Sequence, residues 1–172
     1  MRLKTINFIL AAVFFSQNSL TGFTGQVNSE GINIRSDSTT ESKIICQINK
    51  GDQVEVVSEL YGWYKIRLPK QAPSYVRKDL LECTSYEKAV GFGNSMQIPT
   101  NKPCLSARAS KDRINVRLKP NESAPILGRL SKNELVNIVN TAGDWQRIEP
   151  IQNSFGWINK KFVDKAPEKK RR

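Results

Sequence analysis

One internal symmetry constrains this chain more than any other feature. Displacing the sequence by 82 residues lays Ile32–Leu81 over Ile114–Val163 without a gap. Ten of the fifty positions are identical: Ile32/Ile114, Asn33/Asn115, Arg35/Arg117, Ile44/Ile126, Lys50/Lys132, Val54/Val136, Val57/Val139, Trp63/Trp145, Ile66/Ile148 and Lys78/Lys160. Pairs such as Ile34/Val116, Ile45/Leu127, Lys65/Arg147 and Tyr75/Trp157 keep their apolar, charged or aromatic character. A fixed period of this kind marks one structural unit used twice. The two copies, about 58 residues each, occupy 25–82 and 107–164 of 172 residues.

Each copy reads as short strands. Gln53 to Ser58, Tyr64 to Leu68 and Leu135 to Asn140 alternate apolar with polar residues, and Gly, Asn, Asp, Ser and Pro stand between the runs. No segment holds a 3.6-residue apolar period for ten residues. The expected fold class is therefore all-β, with a small barrel or sandwich of five or six strands per copy. Residues 83–106, with Gly91, Gly93, Pro99 and Pro103, read as a linker. A 58-residue unit buries a modest core and is marginal alone.

The order of motifs resembles a known family. Gly31-Ile32-Asn33-Ile34-Arg35-Ser36 and Arg113-Ile114-Asn115-Val116-Arg117 come first, then Lys50-Gly51-Asp52, then Gly62-Trp63-Tyr64-Lys65-Ile66. The second copy closes on Phe155-Gly156-Trp157-Ile158-Asn159-Lys160-Lys161-Phe162. In this order the motifs resemble the bacterial SH3-like (SH3b) domain, in two tandem copies. The sequence departs from the family pattern at Arg113, Asp144, Ser74-Tyr75 and Leu80. The resemblance implies two small SH3-like barrels that bind rather than catalyse, of the kind that hold secreted proteins at the bacterial cell wall. In the closing signature Trp157 and Phe162 fit a final strand and short turn that complete the core, and with Lys160 and Lys161 they are alternatively candidate ligand-binding residues. The chain is expected to be a double-module protein without a third domain.

Residues 1–22 read as a secretory signal. Arg2 and Lys4 precede the apolar run Ile6 to Phe15, which is too short to span a bilayer, and small polar residues follow to Gly22. A retained N-terminal anchor is the alternative. The mature protein is thus expected in the periplasm or outside the cell, with no transmembrane segment after signal removal. In that oxidising setting three cysteines allow three pairings. Cys83 with Cys104 is favoured, because both lie in the connecting segment and closing it would disturb no strand. Cys46, flanked by Ile44, Ile45 and Ile48, would then be a buried thiol, the alternative being an intermolecular disulfide.

The chain has no histidine, which removes Ser-His-Asp triads, Cys-His pairs and histidine metal ligands. Cysteines at 46, 83 and 104 lack the close spacing of a zinc site. No enzymatic activity, cofactor or metal is expected. Alternation sets Tyr64, Ile66 and Leu68 on one strand face and Trp63 with Lys65 and Arg67 on the other; Trp145 and Arg147 repeat this arrangement. Trp63 and Trp145 are therefore candidate surface aromatics for a sugar face or a peptide, or else plugs of the barrel mouth. Asn33, Arg35, Asn115 and Arg117 are read as structural, satisfying turn backbone groups and covering apolar surface, with a ligand role as the minority reading.

Charge is uneven: residues 23–90 carry nine basic and nine acidic groups, while residues 91–172 carry sixteen and seven. A neutral first module and a basic second module with a basic tail at 165–172 are expected. Such a surface attracts polyanions. The expected partner is peptidoglycan or another anionic envelope polymer, with an envelope protein as the alternative, in which case the chain is a protein-protein interaction adaptor. Export places nucleic acid out of reach, so none is expected.

Overall fold

A computed structural model describes residues 22–87 and 103–166, all β structure and loops apart from two 3-10 turns. The signal segment except Gly22, most of the connector and residues 167–172 of the basic tail lie outside the described residues. The first copy forms β1 (Phe23–Val27), β2 (Ile32–Arg35), β3 (Ile44–Ile48), β4 (Gln53–Leu60), β5 (Trp63–Arg67), β6 (Ser74–Arg77) and β7 (Leu81–Tyr86). The second forms β8 (Cys104–Ala109), β9 (Ile114–Arg117), β10 (Ile126–Leu130), β11 (Leu135–Ala142), β12 (Trp145–Ile148), β13 (Phe155–Asn159) and β14 (Val163–Lys165). The 3-10 turns Lys78–Leu80 and Lys160–Phe162 separate β6 from β7 and β13 from β14.

The strands follow the alternation seen in the sequence. Val54 and Val56 are buried between exposed Gln53 and Glu55, and Ile34 and Ile66 are fully inaccessible. The turn before β2 needs a left-handed backbone in both copies, met by Gly31 at φ 63° and by Arg113 at φ 59°. The side chain of Arg113 makes that conformation costly, by about 1–2 kcal/mol.

The two copies do not fold side by side. One seven-stranded sheet runs β14-β1-β4-β5-β13-β2-β3, and the other runs β10-β9-β6-β12-β11-β8-β7. Each barrel therefore holds the first five strands of one copy and the last two of the other. β13 lies against β5, with Trp157 opposite Lys65, and reaches β2 through Trp157 and Arg35. β6 lies against β12, with Tyr75 opposite Arg147, and reaches β9 through Tyr75 and Arg117. β14 pairs with β1, and β7 with β8. The expected modules at 25–82 and 107–164 are thus repeats of sequence, while each barrel is assembled from both of them.

The exchanged arms complete the two cores. Ile158 and Val163 join Val27, Ile34, Ile48, Val56 and Ile66 in the first, and Val76 joins Ile114, Val116, Leu130 and Ile148 in the second. Leu118 and Leu127 of the second copy also pack into the first core. Burying one such aliphatic side chain contributes roughly 1.5–3 kcal/mol.

Side-chain size distinguishes the two arms. A Cβ on Gly156 of β13 would lie 2.5 Å from Ile34 Cγ2 and 2.9 Å from Leu68 Cδ2. The first barrel therefore requires glycine at this point of its closing strand. In the second barrel, smaller Val116 and Pro150 occupy the positions equivalent to Ile34 and Leu68, and the arm brings a fully buried Ser74.

Cys83 and Cys104 form a disulfide with a Cα separation of 5.9 Å. Both lie inside strands, β7 and β8, rather than in a loose connector as expected. The bond ties the arm of the first copy to the opening strand of the second.

Candidate binding groove

The first barrel carries a groove of about 190 Å³ built by both copies. Its wall begins at β2, where Arg35 Nη1 donates to the carbonyl of Ser42 at 2.7 Å and so holds the loop that presents Thr40. Arg117 does the same for the second barrel through the carbonyl of Ala124 at 2.9 Å. The opposite wall comes from the exchanged arm. Asn159 Oδ1 accepts from the amide of Lys161 at 3.2 Å, and the amide of Lys160 donates to the carbonyl of Gly62 at 2.9 Å. This lays the 3-10 turn across β5, so that Lys161 and Phe162 face Trp63, Asn33 and Thr40.

That turn corrects one expectation. Trp63 and Trp145 share the strand face of Lys65 and Arg147, yet they are only 9 % and 8 % exposed. Each is covered by the other copy's arm, Trp63 in register with Asn159 and Trp145 with Arg77. A strand face read from one copy omits the chain that the other copy lays over it. Trp63 keeps one edge in the groove.

The remaining candidates separate into groove, neighbouring face and elsewhere. Lys161 and Phe162 line the groove, with Lys161 Nζ 4.8 Å from the Phe162 ring centroid. Lys65, Arg67 and Trp157 form the face beside it. Lys65 Nζ stands 4.6 Å from the Phe155 ring centroid, and Arg67 pairs with Glu55 at 2.8 Å. Half-buried Trp157 lies between Arg35 and Lys65 across the sheet, as Tyr75 lies between Arg117 and Arg147 in the other barrel. Lys160 points away to Glu59 at 2.6 Å, and this bond raises its pKa. Gly31, Asn33, Arg35, Thr40 and Asn159 were not among the candidate ligand residues but line the groove. Only the identity of Asn33 with Asn115 and of Arg35 with Arg117 hinted at two of them.

The expected division of charge changes too, because Lys160, Lys161 and Lys165 belong to the first barrel. In the second barrel the residues equivalent to part of the groove lining form ion pairs. Arg77 bonds Asp79 at 2.9 Å and stands 3.7 Å from Glu122, which bonds Arg117 at 3.0 Å. The bond from Arg77 holds the carboxyl of Asp79 below its ordinary pKa. Among the described residues no helix is long and apolar enough to cross a membrane.

The architecture defines an all-β protein of two SH3-like barrels. The chain belongs to the bacterial SH3 domain family, whose model matches residues 30–82 and again 112–164. It is also 23% identical over 134 residues, 78% of its length, to a Bacillus subtilis (strain 168) protein provisionally named N-acetylmuramoyl-L-alanine amidase YrvJ. The match covers 25% of that relative's own length.

Proposed function

We propose that this protein is a non-catalytic binder of the bacterial cell envelope that recognises peptidoglycan or a similar anionic wall polymer in the periplasm or outside the cell. The observation that carries this reading is the first barrel's groove with its adjoining face, where Lys161, Lys65 and Arg35 stand beside Trp63, Phe162 and Trp157. Cations beside aromatic faces suit anionic groups on a sugar or peptide chain. Membership of the bacterial SH3 domain family and the name of the amidase relative support it. The absence of histidine from the sequence supports binding without cleavage.

Cosedimentation of the mature, oxidised chain with purified peptidoglycan tests the proposal. Binding at low salt that weakens as salt rises, with no release of soluble fragments, is expected. No pelleting at low salt would count against it, and fragment release would refute the non-catalytic part. A second reading, a protein-interaction adaptor, is favoured by Leu135 and Val139, which are 68 % and 54 % exposed on one face of β11. A specific crosslinked partner without wall binding would support that alternative.

A further inference from the structure

We infer that, of the two equivalent positions on the barrels, only the first barrel's groove is receptive, and that it takes the free carboxylate end of a short peptide. The inference rests on the envelope-binding reading and specifies its site and ligand chemistry.

Hydrogen-bond inventory gives the sign of the ligand. Asn33 Oδ1 already accepts from Gln47 Nε2 at 2.9 Å, and Asn159 Oδ1 accepts from the amide of Lys161. Each oxygen has one of its two acceptor sites engaged, and each side chain keeps an NH2 group with two donors. Lys161 adds an ammonium with no carboxylate within 4.0 Å among the described residues. The polar atoms available here are therefore mainly donors, one of them charged, and a carboxylate satisfies such a set best. Trp63 and Phe162 supply apolar surface beside them, enough for a small side chain next to the carboxylate. A volume of about 190 Å³ fits a chain end, since sites for whole drug-sized molecules run to roughly 300–1,000 Å³.

In the second barrel the equivalent positions carry residues that pair with one another. Asp79 stands where the first barrel has Lys161, Glu122 where it has Thr40, and Arg77 where it has Asn159. These three side chains pair with one another and with Arg117. A carboxylate ligand there would meet two carboxylates already paired with the arginines. Of the two equivalent positions the receptive one is the first barrel's, and it borrows Lys161 from the other copy.

The test is titration of the full oxidised chain, isotope-labelled for NMR, with N-acetyl-trialanine as the free acid and as its C-terminal carboxamide. The free acid is expected to shift the Trp63 indole and the Asn33 and Asn159 side-chain amides, leaving Trp145 unmoved, and to bind at least tenfold more tightly than the carboxamide. Lys161→Glu should reduce its affinity more than tenfold, and Lys161→Gln by less. Asp79→Lys combined with Glu122→Thr should make Trp145 respond as well. Equal binding of acid and carboxamide, equal response of both barrels in the unaltered chain, or indifference to Lys161→Glu would overturn the inference. If the double variant does not fold, the Lys161 variants decide the matter. Peptidoglycan cosedimentation run in parallel separates the two ideas. A chain that pellets yet ignores the acid refutes this inference alone, while one that binds the acid but does not pellet refutes only the envelope reading.

Discussion

Replacing Gly156 by Ala tests whether side-chain size matches each arm to its barrel. The new Cβ would stand 2.5 Å from Ile34 Cγ2, 2.9 Å from Leu68 Cδ2 and 3.3 Å from the carbonyl of Arg35. Leu68 can swing its terminal methyl aside. Ile34 is β-branched, stiff at χ1 and fully buried, so β13 must shift instead. Overpacking of this kind costs about 1–3 kcal/mol. The loss of glycine freedom in the unfolded chain returns about 0.4–1 kcal/mol. The net loss of up to about 2.6 kcal/mol, centred on about 1.3 kcal/mol, should lower the melting temperature of the oxidised chain by about 3–5 °C at that centre, read by calorimetry. Ile34→Ala, which removes the Cγ2 methyl concerned, should cost about 2–5 kcal/mol alone. Combined with Gly156→Ala it should cost clearly less than the sum, with a coupling of at least about 0.5 kcal/mol. An Ala variant that melts at or above the parent, or two substitutions that simply add, would refute the reasoning.

Other consequences follow from the same geometry. Converting both Cys83 and Cys104 to Ser opens a closed loop with a sequence separation of 21 residues and should cost about 3 kcal/mol in denaturant unfolding. Arg113→Gly relieves a side chain held at φ 59° and should stabilise the chain by up to about 1 kcal/mol, seen as a higher denaturation midpoint. Burial raises the pKa of Cys46 from 9.0 to about 11, so iodoacetamide should label it far more slowly than a free thiol at pH 8. Because the folded value is the higher one, the stability tied to this thiol is intact below pH 9 and declines as pH rises toward 11, which alkaline unfolding curves would reveal.

Much of the fold was legible in the chain. Alternation placed Tyr64, Ile66 and Leu68 inside, and all three are buried. The 82-residue offset also pairs equivalent contacts, Arg35 to Ser42 with Arg117 to Ala124, and Gly31 with Arg113 at the left-handed turn. These are local features, fixed by neighbours within a few residues. The groove was only partly legible, through Trp63, Lys161 and Phe162, because its walls lie far apart in sequence: Thr40 and Asn159 meet only after the arms exchange. The burial of Trp63 was hidden for the same reason.

The sequence by itself determined that there would be two like barrels of short strands, since period-two patterning and turn residues act locally and appear twice. It did not determine which arm closes which barrel. Both arms carry one apolar pattern, so pairing within a copy and pairing between copies satisfy it equally well. Only the tertiary structure shows the exchange, in which β13 and β14 of the second copy close the first barrel with Gly156 against Ile34 and Leu68. That exchange carries Lys161 onto the first barrel and Asp79 onto the second.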